Sequence, residues 1–139
     1  MIKIKIISVG KNKEEWLETA LNEYVKRLTP IATLSFQWAK DDQHLLDIAL
    51  KEPLLICLDP QGSSLSSEEF SSFLHQKLQL GGSRLTFIIG GADGLPTTLK
   101  SSPLLSLSKM TFTHQITRLI LVEQIYRAFE IARGSQYHK

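Results

Sequence analysis

Isoleucines at positions 2, 4 and 6 alternate with Lys3 and Lys5, and Ile7 to Val9 carries the apolar run to Gly10. A period of two stopped by glycine predicts a strand ending in a turn. Between Glu14 and Leu28 the period lengthens. Trp16, Ala20, Leu21, Tyr24, Val25 and Leu28 fall at helical spacing, Glu14, Glu15 and Glu18 suit the positive end of a helix, and Pro30 comes just after it. Thr33 to Trp38 reads as a short strand, and Asp41 to Leu50 as a short helix stopped before Pro53. Leu54 to Leu58 is continuously apolar, the pattern of a strand buried on both faces. Asp59-Pro60-Gln61-Gly62 is a turn sequence. Ser66 or Ser67 then caps a helix to about Leu80, with Glu68 and Glu69 in its first turn and Gly81-Gly82 at its end. Leu85 to Ile89 is a second buried strand, running into Gly90-Gly91-Ala92-Asp93-Gly94. Ser106 to Thr111 is short and mixed, a strand or a loop. His114 to Arg133 is a long helix closed by Gly134, and Ser135 to Lys139 form a polar tail.

Strands alternating with helices predict an α/β fold on a mostly parallel sheet. Nothing divides the chain: it has no repeat, low-complexity stretch or linker, and 139 residues fit one domain over 1–139. An apolar fraction of 42% excludes disorder. No run approaches the ~20 apolar residues of a membrane span. The alternating amino end reads as a strand, not a signal peptide. The single cysteine, Cys57, allows no internal disulfide, and together these features predict a cytoplasmic protein. The net charge of +2 hides a division: residues 1–40 carry seven Lys/Arg and four Asp/Glu, residues 41–99 three and eight, and residues 100–139 six and two. Two basic ends suit a polyanionic partner, although a solvated surface with chance segregation explains the same counts.

In open parallel sheets ligands bind beyond the carboxyl ends of the strands. Three loops leave such ends: Asp59–Gly62, Gly90–Gly94 and Ser106–Phe112. Glycine lets a backbone approach a ligand closely, so Gly90, Gly91 and Gly94 suggest a site; a tight turn needing positive φ explains them as well. Neither GxGxxG nor a P-loop is present. His44, His75, His114 and His138 show no metal-ligand spacing, and no GxSxG elbow occurs. In the last helix Ile116, Leu119, Ile120, Val122, Ile125, Tyr126, Phe129 and Ala132 form a stripe wide enough for two surfaces, its own sheet and a second subunit, or simply for a core helix of a small domain. Glu123 and Arg127 are an i,i+4 pair in the favourable order. The tail combines Tyr137, His138 and Lys139, which suits base stacking and phosphate contact if it is not a frayed end.

Several stretches taken in order identify a resemblance covering nearly the whole chain. They are Val9-Gly10-Lys11, Glu23-Tyr24 with Arg27, Leu58-Asp59 with Gly62, and Ser66 to Phe70. They continue with Phe87 to Leu95, Leu105 to Gln115, Arg118, Val122 to Phe129, Arg133-Gly134 and Tyr137-His138-Lys139. The sequence resembles the ribosomal RNA large subunit methyltransferase H family of the SPOUT class. The resemblance implies a single α/β domain with a C-terminal trefoil knot whose loops form an S-adenosylmethionine pocket. Carried over, the cofactor-binding residues are Leu58, Gly90, Gly91, Leu107, Ser108, Lys109, Met110, Thr111 and Phe112. It implies a homodimer in which the tail of one subunit completes the site of the other, and methylation of N3 of a pseudouridine in 23S rRNA on the assembled 70S ribosome. His138 is then the candidate for handling the proton, Tyr137 for stacking, Arg118, Arg133 and Lys139 for holding phosphates, and His114 for shaping the cofactor loop. No metal is implied. Ala92-Asp93 stands where proline and an acidic residue are common in the family, and Gln115 where proline is common. The segment between Ala39 and Leu54 is shorter than in many relatives.

Three other readings stay open. A SPOUT enzyme acting on tRNA needs further RNA-binding segments for which 139 residues leave little room. A non-catalytic ribosome- or RNA-binding module of the same fold should have lost Gly90 or the Leu107–Phe112 segment. An unrelated nucleotide-binding domain lacks its usual motifs.

Overall fold

The computed structural model describes residues 1–138. Strand β1 (Ile2–Val9) is followed by α1 (Glu15–Leu28), β2 (Ala32–Ala39), α2 (Asp42–Ala49), β3 (Leu55–Ser64), α3 (Ser67–Leu80) and β4 (Arg84–Ile89). A 3₁₀ helix (Thr97–Ser101), β5 (Leu104–Ser106) and α4 (His114–Ala132) complete the chain. The strands form one sheet in the order β2-β1-β4-β3-β5, parallel at every pairing. The α/β architecture read from the sequence is therefore the observed one.

Adjacent residues of a strand face opposite ways. Ile6 accordingly joins Ile4, Phe87 and Ile89 under α1, α3 and α4, while Ile7 joins Cys57 and Ile88 under α2 and the 3₁₀ helix. The two layers share the work unequally. Three helices cover one face along its length, with Leu17, Leu21, Leu74, Leu121 and Ile125 fully buried. On the other face α2 supplies Leu45 and Ala49, and the start of the sheet is left bare. The serine cap anticipated in the sequence is formed, with Ser66 and Glu69 making a reciprocal capping box at α3, and the structure adds Asp41 as the cap of α2 and Thr113 as the cap of α4.

The structure departs from the sequence pattern in two places. Asp59–Gly62 is not a turn that ends a strand. It is a bulge inside β3, across which Leu58 and Ser63 both pair with Leu105. Gly62 is required there because a Cβ would lie 2.6 Å from the backbone of Leu104 and Leu105. The mixed segment Ser106–Thr111 is almost entirely loop, since β5 lies earlier, at Leu104–Ser106. The apolar stripe of α4 packs on α1, α3 and β4 within the same chain, with Ile116, Leu119 and Ile120 part-exposed and Ala132 exposed. Among the described residues no helix is long and apolar enough to cross a membrane.

Candidate functional site

All five strands point the same way, so their carboxyl ends share one edge of the sheet, and there a cleft of about 540 Å³ opens. Its walls come from the three loops singled out in the sequence: Leu58 to Pro60 after the first half of β3, Gly90 to Leu95 after β4, and Leu107 to Thr113 after β5. His114 and Thr117 add the first turn of α4. Leu58, Ile89, Leu95, Leu107, Met110 and Phe112 make most of this surface apolar. Among the described residues Asp59 is the only carboxylate lining it, and no lysine or arginine does.

The loop after β4 is built by close approach. Gly94 adopts φ +84°, and its N–H donates to the Gly91 carbonyl at 3.0 Å. This folds the chain back so tightly that a Cβ on Gly90 would sit 2.5 Å from the Gly94 oxygen. Only Gly94 of the three glycines needs a positive φ. Gly90 is needed for space, while a Cβ on Gly91 would meet only the Val9 side chain at 3.4 Å. The loop after β5 is shaped by serine: the Ser106 hydroxyl donates to the Ser108 carbonyl at 3.0 Å, and the Met110 N–H donates to Ser108 Oγ at 3.0 Å. This exposes Met110 at the rim. Lys109, carried over with the cofactor-binding residues, is exposed and is not among the residues that line the cleft.

Arg118 is not where a phosphate could reach it. It is fully buried, with Nε donating to Ser8 Oγ at 2.9 Å, Nη1 to Asn12 Oδ1 at 3.0 Å and Nη2 to the Val9 carbonyl at 2.7 Å. Its guanidinium lies 4.6 Å from the ring centre of Trp38. Burial pulls its pKa down to about 10, so it stays charged at neutral pH. Among the described residues no carboxylate pairs with it. The side chain is a clamp joining the exit of β1 to the start of α4, and both border the cleft: Val9 abuts Gly91 and His114 lines the wall. The sequence held a trace of this clamp, since Ser8 and Arg118 are polar positions within apolar patterns. Trp38 and Asn12 carried none. His114 is half-buried, and desolvation, then the charges of Arg118 and Lys13, push its pKa below the ordinary histidine value.

Tyr137 and His138 do not line this cleft. The tail folds back on α4, where the Tyr137 hydroxyl donates to Glu123 Oε2 at 2.6 Å and the ring packs edge-on against Tyr126. Arg127 donates to the same carboxylate from Nη2 at 2.8 Å and to His138 Nδ1 from Nη1 at 3.1 Å. An arginine can only donate, so Nδ1 accepts and the ring carries its proton on Nε2, which lies 2.8 Å from Glu68 Oε1. Burial favours the neutral form of Glu123, but the hydrogen bonds from Arg127 and Tyr137 outweigh it and hold the carboxyl below its usual range. Burial and the Glu123 hydrogen bond push the Tyr137 phenol well above its ordinary value. Arg133 is largely exposed and grips Glu130 through Nε at 2.6 Å and Nη2 at 2.9 Å. Lys139 lies outside the described residues. Among the described residues no group of three or more His, Cys, Asp or Glu is gathered as for a metal ion.

The family model described as "Predicted SPOUT methyltransferase" matches residues 2–138. The chain is 59% identical over 140 residues to "Ribosomal RNA large subunit methyltransferase H" of Protochlamydia amoebophila, with all of both chains covered. Proteins of the same name from Carboxydothermus hydrogenoformans and Dictyoglomus thermophilum are 40% and 39% identical, each match covering 99% of this chain and 100% and 99% of the relative. A full-length match at this identity, on a parallel sheet with a cleft between its carboxyl-end loops, shows that the chain belongs to the ribosomal RNA large subunit methyltransferase H family of SPOUT methyltransferases.

Proposed function

We propose that this protein transfers a methyl group from S-adenosylmethionine to N3 of a pseudouridine in 23S rRNA, acting as a cytoplasmic homodimer on the assembled 70S ribosome. The observation that carries this reading is the cleft itself. The loops expected to hold the cofactor converge there, in a chain 59% identical to a protein named for methylation of large-subunit rRNA.

The cleft fits such a ligand. Its volume of about 540 Å³ lies within the roughly 300–1,000 Å³ of small-molecule sites. Its walls are apolar, with backbone groups of Gly90, Gly91 and the Leu107–Phe112 loop offered between them, and among the described residues they hold no lysine or arginine to repel a sulfonium. When bound, S-adenosylmethionine supplies an activated methyl group on that sulfonium. Thr113, His114 and Thr117 bring the positive end of α4 to the same cleft, which suits a carboxylate. Leu58, Leu107 and Phe112 exclude water, and the rigid loops hold the base in line with the methyl carbon, so positioning supplies most of the rate. One proton must still leave N3. His138 and Tyr137 are proposed to act from the partner copy's tail, because neither lines the cleft of its own chain; in each copy that tail is held by Glu123, Arg127 and Glu68. In that arrangement His138 has no free lone pair, so it must leave Arg127 before it can take a proton. Arg133 and Lys139 are proposed to contact RNA phosphates. A C-terminal trefoil threading belongs to the same reading.

The test is calorimetric titration with S-adenosylmethionine, followed by tritiated cofactor with 70S ribosomes, free 23S rRNA and tRNA. Binding with label on the 23S rRNA of intact ribosomes is expected. Label on tRNA instead, or no cofactor binding, overturns the reading in favour of a tRNA enzyme or a non-catalytic module.

A further inference from the structure

At the edge of the sheet opposite the cleft, the starts of β1, β2 and β4 line a second groove of about 210 Å³. The register sets Lys3 between Thr33 and Arg84, and Lys5 between Ser35 and Thr86. Alternation along the strands turns all six residues to the face that α2 leaves uncovered. Lys3 and Arg84 are therefore like charges directly opposed on neighbouring strands, an arrangement that destabilises a sheet. Among the described residues the groove's one carboxylate is committed mainly to Lys5 and Thr86, and Arg84 is the weakest of the influences on it. Glu52 lies 2.9 Å from Lys5 Nζ and accepts from the Thr86 hydroxyl at 2.9 Å. Among the described residues neither Lys3 nor Arg84 forms an ion pair.

We propose that this groove docks a backbone phosphate of the RNA substrate, with Lys3 and Arg84 supplying charge and Thr33 and Ser35 supplying hydroxyl donors. Three cations against one carboxylate leave two positive charges unbalanced, and the exposed threonine and serine complete a common set of phosphate contacts. The volume, about 210 Å³, is below the roughly 300 Å³ at which small-molecule pockets begin, which favours a phosphodiester over a whole nucleotide. The carboxylates Asp41 and Asp42 start α2 at the cleft end of the sheet, away from the groove. From Lys3 to Val9 the strand runs roughly 20 Å at about 3.3 Å per residue, so an RNA touching both groove and cleft must be a large folded one. This inference rests on the proposed rRNA substrate and adds a contact remote from the reacting base.

The experiment compares wild type with Lys3→Glu/Arg84→Glu, reading KM for 70S ribosomes and co-sedimentation with them over a range of KCl, with S-adenosylmethionine affinity as the control for folding. The double variant is expected to raise KM roughly tenfold and to flatten the salt dependence of binding by about two. A neutral pair, Lys3→Gln/Arg84→Gln, should weaken ribosome binding while keeping or raising Tm, since it relieves the repulsion. Unchanged KM, co-sedimentation and salt slope overturn the proposal. Binding of inorganic phosphate by wild type but not by the variants, with ribosome affinity unchanged, also overturns it and makes the groove a free-phosphate site. If wild type labels no rRNA, the proposed reaction fails, and co-sedimentation still decides the groove.

Discussion

Two residues near the cleft act by space and by reach, and both can be tested by single substitutions. A methyl group on Gly90 would strike the carbonyl of Gly94 at 2.5 Å and the Leu95 nitrogen at 2.9 Å, all backbone, so the 90–95 loop must move. Gly90→Ala is therefore expected to weaken S-adenosylmethionine binding by more than tenfold in a calorimetric titration. Gly91→Ala meets only Val9 at 3.4 Å and should bind close to wild type. Equal affinities for the two variants would remove the steric argument. Arg118→Met strands three acceptors, Ser8 Oγ, Asn12 Oδ1 and the Val9 carbonyl. The expected cost is about 3 kcal/mol. For a chain of this size that is a fall in Tm of roughly 10 °C by calorimetry. Arg118→Lys keeps the charge but cannot span the three acceptors, so it should fall between the two. A variant that melts with wild type would show that the clamp is dispensable.

Among the elements, what the sequence disclosed followed from local periodicity. The alternation of Ile2, Ile4 and Ile6, the helical spacing from Trp16 to Leu28 and the unbroken Leu85–Ile89 run each mark their element, and the order of elements implies the parallel sheet. The cleft was legible for a related reason: loops at the carboxyl ends of parallel strands converge, and two of them carry glycine or serine where the backbone must turn sharply. What escaped was decided across the chain. Asp59 to Gly62 look like a turn because Asp59 accepts from the Gln61 N–H at 2.8 Å, as in a turn; only the pairing of Ser63 with Leu105 shows that the strand resumes. Three residues of β5 are too few to display a period. The stripe of α4 showed how much apolar surface needed cover but not which elements supply it. The docking of Tyr137 and His138 on Glu123, Arg127 and Glu68 joins positions with no shared pattern.

For the whole molecule, acid should act through carboxylates that the fold holds ionised at separate places. Glu123 is held by Arg127 and Tyr137 on α4, Glu130 by Arg133, Tyr126 and Ser135 at the helix end, and Glu52 by Lys5 and Thr86 below the sheet. Burial opposes ionisation in all three and is the largest single influence on Glu123 and Glu52, yet the hydrogen bonds and cations prevail and each pKa lies below its ordinary value. A carboxyl with a depressed folded pKa contributes stability that is present above its unfolded pKa, about 4.3 for glutamate, and lost as pH falls through the folded value. Tm should therefore stay nearly level from about pH 8 to 7, dip slightly as pH falls through the ordinary histidine value of about 6.5, because the fold disfavours a charged His114, and fall more steeply below about pH 5, past the ordinary glutamate pKa. Glu123→Gln separates one contribution from the rest. It leaves Arg127 and Tyr137 without their anionic partner, so the variant should melt below wild type at pH 7. The difference should shrink as the wild-type carboxyl protonates, and the two melting curves should meet in acid. Parallel curves, with a constant gap from neutral pH into acid, would mean that Glu123 stabilises the tail by packing and not by its charge.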